Sequence, residues 1–365
     1  MSTAFCRRLG IEAPIFGLSP WPAVVAAITN AGGFGVLAGT PHDPEHFAAA
    51  LDWIDAEVGG KPYGVDLLFP VRAEDSGEQE LAERIPEEHR RFVESLEVRF
   101  SVPPARADAD YMPTEGKVHT HERARERVTI AFSHPVSLLV SALGPPPPDV
   151  VEEAHARGIL LGGLVGHPRH AVKQVEAGVN VVIAVGTEGG GHIGSISTFT
   201  LVPQVVDAVG ETPVLAAGGI GTGRHVAASL ALGAAGVWTG SVWLTTFECG
   251  IEEALKDKLL AAGSEDAVIT RAHSGRMVRH LRSPWIDAWA ASDAVAPLPP
   301  PLQGLLVRDV VARIAQNGLE AEVMGISVGQ VVGMMNERRL VSDVVGELVS
   351  GCDDVIRGLN TLEPA

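Results

Sequence analysis

Short apolar and β-branched runs recur along the chain, each separated from the next by a stretch with the three-to-four-residue spacing of an amphipathic helix. Eight of these runs read as strands: Pro14–Phe16, Gly35–Leu37, Tyr63–Leu67, Leu138–Ala142, Ile159–Leu164, Val181–Val185, Val214–Ala217 and Gly236–Thr239. Nearly continuous hydrophobicity within each run fits strands buried on both faces, as in a parallel sheet with crossover helices. Eight such units closing on themselves predict an α/β fold, the TIM (β/α)8 barrel. Glycines punctuate the helices: Trp21–Asn30 runs into Ala31-Gly32-Gly33, and Arg169–Ala177 runs into Gly178.

Two regions break the alternation. Between Pro70 and Val128 the chain is strongly charged, and Ser101–Gly116 reads as a loop between helical pieces. The acidic run from Glu74 to Glu97 reads as a solvated helix face. After Phe247 the pattern turns helical over Ile251–Ala262, places Trp285 and Trp289 one turn apart, and crosses the proline-rich Pro297–Pro301 before Leu305–Asn317. The expected organisation is a barrel over 1–249, with 71–127 as an inserted excursion or lid, and a small, mainly helical second domain over 250–320. Within 321–365, Val328–Met335 and Val341–Leu359 are expected to pack back on the barrel.

Composition changes this picture mainly by exclusion. With 365 residues, 46% of them hydrophobic and 20% charged, the chain supports one large domain and an appendage. A net charge of −17 with no compensating basic stripe argues against a nucleic-acid partner. Cys6, Cys249 and Cys352 lie far apart without metal-ligand spacing, so no metal site is expected and a reducing compartment is. No apolar run reaches membrane-spanning length, and the expected location is the cytoplasm.

Chemistry concentrates after the sixth strand, in Gly186-Thr187-Glu188-Gly189-Gly190-Gly191-His192-Ile193-Gly194. Glycine lets backbone approach a ligand closely, and histidine is the side chain matched to proton transfer near neutral pH. Loops at the carboxyl ends of barrel strands carry the active site. The next two strands also run into glycine, Ala217-Gly218-Gly219 and Thr239-Gly240-Ser241, in the position of a barrel phosphate cradle. Neither a Rossmann fingerprint nor a P-loop is present.

Taken in order, Ala26–Gly33, Lys61–Leu67, Glu188–Gly194, Ala216–Gly221, Ala227–Gly240, Ser274-Gly275-Arg276 and Gly329-Gln330 resemble the nitronate monooxygenase family, formerly the 2-nitropropane dioxygenases. The resemblance implies an FMN-dependent TIM barrel that oxidises nitronates or nitroalkanes with oxygen to a carbonyl compound and nitrite. It makes His192 the catalytic base. It places the FMN phosphate on Gly218, Gly219, Gly240 and Ser241 and the flavin ring near Gly189, Gly190 and Gly191. Gly17, Asp66, Gly186, Glu188, Ala217 and Gln330 complete the expected cofactor contacts, although Glu188 reads equally well as a cap on its own loop. Three departures stand out: Phe16–Pro20 lacks the family's proline–methionine pair, Asp66 stands where asparagine is usual, and Val185 stands where glutamine is common. They keep open an NAD(P)H-dependent flavin reductase acting on quinones or enoyl thioesters, and a non-catalytic barrel holding a phosphorylated ligand. A homo-oligomer remains compatible with the sequence.

Overall fold

The computed structural model describes residues 2–69, 78–105 and 121–361, the side chains of 121 and 122 excepted. Eight parallel strands close into a barrel in the order β1-β2-β3-β4-β5-β6-β8-β9. They are β1 (Ile15–Ser19), β2 (Phe34–Ala38), β3 (Gly64–Leu68), β4 (Leu138–Ala142), β5 (Leu160–Val165), β6 (Val181–Val185), β8 (Val214–Ala217) and β9 (Gly236–Thr239). β7 (Gly191–His192) belongs to a second sheet. The expected TIM barrel is the observed fold. β1 and β2 extend three residues and one residue further than expected, because the apolar run continues through Leu18 and into Ala38.

Register and the two-residue strand period decide which side chains fill the lumen. Phe16 pairs with Phe34 on one side and Trp238 on the other, and Ala217 pairs with both Trp238 and Val185. These positions form one buried cluster with Val36, Leu138, Val140, Val181, Ile183 and Leu215. The opposite faces of the strands meet the surrounding helices, as where Val25, Leu37, Leu51 and Val65 pack together. Helices Pro22–Asn30 and Pro168–Glu176 stop before Gly32 and Gly178, whose φ values of 87° and 97° are cheap only for glycine.

The 250–320 stretch contains more than helices. Besides Glu253–Ala261, Pro284–Trp289 and Leu302–Gln316 it holds an antiparallel pair, β10 (Ala267–Thr270) and β11 (Val278–Leu281), and β11 also pairs with β7. A cluster of Trp285, Trp289, Val307, Val310 and Ile314 takes in Val93 and Leu96 from helix Glu87–Arg99. Phe92 meets Trp289 edge-on, with ring centroids 4.8 Å apart. The described part of the charged region thus supplies one wall of this second core, with most of its glutamates outward. The remainder of the expected loop and lid, 70–77 and 106–120, lies outside the described residues. Helix Val341–Leu359 packs against helices Gly223–Ala231 and Pro22–Asn30, burying Val341, Val344, Val345 and Leu348 on the barrel's flank. Among the described residues, no helix is long and apolar enough to cross a membrane.

Candidate active site

Four segments converge at the carboxyl end of the barrel. Gly186, directly after β6, donates its N–H to Ala217 O at 2.9 Å and so ties the histidine loop to the end of β8. Thr187 N–H reaches Ile196 O at 2.9 Å and closes the loop on itself. Gln330 N–H reaches Glu188 O at 2.9 Å, and Gly329 N–H reaches Ser241 Oγ at 2.8 Å, so residues 329–330 bridge the loops after β6 and β9. The approach is close: a Cβ on Gly190 would lie 2.8 Å from Gly329 N, and one on Gly329 only 2.6 Å from Glu188 O. The expected residues Gly186, Glu188, Gly189, Gly190, Ala217, Ser241 and Gln330 are therefore brought together, by backbone contacts and, for Ser241, by its hydroxyl.

Glu188 acts on the loop itself. Its Oε2 accepts from Thr198 N at 2.9 Å and from Thr198 Oγ1 at 2.8 Å, at the start of helix Thr198–Val209. Ser197, the residue at the cap position, makes no side-chain cap bond, so the Glu188 carboxylate serves the exposed N–H end in its place. Glu188→Ala is expected to cost about 1–2 kcal/mol of unfolding free energy, and Glu188→Gln less because an acceptor remains. Denaturant unfolding of the two variants measures this; equal stabilities for both and the wild type would reject the capping role.

His192 is presented differently from a side chain on a free glycine loop. It lies on β7, pairs with Val278 of β11, and Ile193 N–H bonds Met277 O at 3.3 Å. Its imidazole is exposed, with Nε2 3.2 Å from Ser274 Oγ. Ser274 belongs to the connection between β10 and β11, and Arg276 beside it is exposed. Arg279, buried on β11, donates Nε–H to Thr187 O at 3.0 Å and Nη1–H to Ala267 O at 2.5 Å. Burial pulls its guanidinium below the ordinary arginine range, while the nearby Glu188 charge opposes this. Arg279 and Thr198 hold the loop, yet neither announces itself in the sequence.

Gly218 and Gly219 adopt φ of 101° and 72°, turning the chain sharply after β8, and a Cβ on Gly219 would meet Glu188 Cβ at 3.2 Å. Gly240 is exposed, and nothing lies within 4 Å of where its Cβ would be. Gly191 is likewise open, with φ of 73°. Gly17 is set apart: a Cβ there would point at Ile28 Cδ1 and Trp243 Nε1 in the outer layer, so helix packing accounts for its missing side chain and only its backbone is available to a ligand. Asp66 stands on the lumen wall three strands from β6; burial pushes its carboxyl up to about 8, and Oδ2 has no hydrogen-bond partner among the described residues. Open glycine backbone at the mouth and an unsatisfied polar atom in the wall both fit a ligand with an anionic end and a polar ring.

A parallel eight-stranded barrel with its glycine loops and the exposed His192 imidazole gathered at the carboxyl end defines a TIM-barrel enzyme with its site at that end. The sequence model of the nitronate monooxygenase family matches residues 3–351, and the chain belongs to that family. It is a flavin-dependent oxidoreductase. A Mycobacterium tuberculosis protein bearing a provisional monooxygenase name is 46% identical, the match covering 99% of each chain. Among solved structures, nitroalkane oxidase from Streptomyces ansochromogenes superposes with a TM-score of 0.79 at 23% identity, covering 95% of this chain and 98% of that one. FabK from Thermotoga maritima superposes with a TM-score of 0.74 at 24% identity, covering 99% of each. At these identities the two structures speak for the fold.

Proposed function

We propose that the enzyme oxidises nitronates and nitroalkanes with oxygen, giving a carbonyl compound and nitrite, and that its flavin is FMN. The observation that carries this reading is the exposed His192 imidazole, fixed by strand pairing and by Ser274 beside a glycine-built mouth. Gly218, Gly219, Gly240 and Ser241 would hold the phosphate through backbone N–H groups and a hydroxyl. Gly189, Gly190 and Gly191 would border the ring, together with the backbone of Gly17, Gly186 and Ala217. Glu188 and Gln330 contribute by fixing this backbone. When bound, the flavin supplies electron acceptance and reaction with oxygen. His192 takes the α-proton of a neutral nitroalkane, or donates a hydrogen bond that orients an anionic nitronate.

A second reading, NAD(P)H-dependent reduction of a quinone or enoyl thioester, is favoured by Val185. This residue faces the lumen where the family commonly has a polar side chain beside the flavin. The two readings separate in one experiment on purified protein loaded with FMN. Anaerobic mixing with a nitronate is expected to bleach the flavin within a turnover, whereas NADH and NADPH leave it yellow. Bleaching by a nicotinamide nucleotide alone selects the second reading, and protein that takes up no FMN rejects both.

A further inference from the structure

The barrel sheet is almost free of ionisable chemistry. β1, β2, β4, β5, β6, β8 and β9 contain no Asp, Glu, Lys, Arg or His, and β3 contains one such residue, Asp66. Register turns Asp66 to the lumen, level with Ala38 of β2 and Val140 of β4. It is 7% exposed. Oδ2 is buried without a hydrogen-bond partner among the described residues, and burial is the sole cause of the carboxyl's upward displacement to about 8. No described charge on a neighbouring element perturbs it. An ionised carboxylate in such a place would require a cation or several N–H donors, and its wall offers aliphatic side chains instead.

A neutral carboxyl differs from a carboxylate in having a hydrogen to give. The position lies near the carboxyl end of β3, the end at which the glycine loops gather, and in the family it is usually occupied by asparagine, another uncharged donor. We infer that Asp66 is carried as the neutral acid and donates a hydrogen bond to the flavin's polar ring edge, making flavin retention dependent on that proton. This rests on the proposal that FMN occupies the barrel mouth. The sign follows from the displaced titration: near neutral pH the acid is protonated and binding-competent, and as pH rises through about 8 the competent fraction falls. Affinity falls with that fraction, by about tenfold one pH unit above the midpoint. An asparagine here would give the same bond with no pH limit.

The test is FMN titration of apo-protein from pH 6 to 9.5, followed by quenching of flavin fluorescence, on the wild type, Asp66→Asn and Asp66→Leu. The wild type is expected to bind about tenfold more weakly at pH 9 than at pH 7, while Asp66→Asn binds with wild-type neutral affinity throughout. Asp66→Leu, lacking a donor, is expected to bind about tenfold more weakly at pH 7 with no wild-type-like alkaline loss. Titrations of FMN itself are common to all three proteins and cancel in the comparison. Wild-type affinity that stays flat, an Asp66→Asn variant that falls in parallel with it, or an Asp66→Leu variant matching it at pH 7 overturns the inference and leaves the FMN reading intact. No FMN binding by any of the three at any pH overturns both. Thermal melts of the apo-proteins confirm that each variant compared is folded.

Discussion

His192→Asn is expected to lower kcat/KM for a neutral nitroalkane by about 10²–10⁴-fold, the usual contribution of a positioned general base. The same enzyme given a pre-ionised nitronate should lose far less, because the proton is already gone and asparagine still offers an N–H donor. Three features make the substitution clean. The imidazole is exposed, so its replacement opens no cavity in the core. Its strand is held through backbone pairing with β11, which asparagine keeps. The loop's other anchors, Glu188 on Thr198 and Arg279 on Thr187, do not involve the imidazole. The flavin spectrum of the variant should therefore match the wild type. Steady-state rates with matched neutral and ionised substrate decide the matter: equal losses on both forms would assign His192 to orientation, and no loss on either would remove it from the chemistry.

The barrel was readable from the chain because its strands are buried on both faces and read as largely apolar runs, most of them ending near glycine. Its carboxyl-end glycines could be picked out for the same reason, since a turn or a close approach at a strand end leaves a local mark. The second sheet left none. β10 and β11 are four residues long, and β11 buries Arg279 and His280, which in a sequence look like solvent-facing residues. The burial of Arg279 depends on carbonyls of Thr187 and Ala267 that only the fold brings near, and His280 stacks on His273 with ring centroids 4.3 Å apart. The histidine's strand setting was hidden with them, because β7 is two residues long and exists only through β11. Glu188 was readable as a carboxylate in a glycine loop but not as the cap of a helix starting ten residues later. Asp66 was visible as a departure from asparagine. Its isolation in an otherwise uncharged sheet emerges only when the register turns it inward.

The glycines of the mouth differ in why they are glycine, and that difference yields the sharpest test of the cradle. Gly186 and Gly190 are closed by protein: an added Cβ would meet Thr198 Oγ1 at 2.0 Å or Gly329 N at 2.8 Å, so substitution there disrupts the fold whatever binds nearby. Gly218 and Gly219 need left-handed backbone, and a side chain would add strain to any loss of ligand. Gly240 has neither excuse. Its φ of −137° lies outside the left-handed region, and its Cβ direction meets nothing within 4 Å. If protein alone shaped this position, a side chain would be harmless. Gly240→Asp is accordingly expected to leave the apo-protein's melting temperature unchanged within about one degree, since it touches no core contact. It should nonetheless reduce FMN affinity by at least about a hundredfold, by filling the phosphate's place and setting a like charge against it, an effect of roughly 3 kcal/mol. Gly240→Ala, smaller and uncharged, should fall between. Isothermal titration with FMN alongside thermal melts separates the two effects, and a stable Gly240→Asp protein that binds FMN as tightly as the wild type would move the phosphate away from the loop after β9.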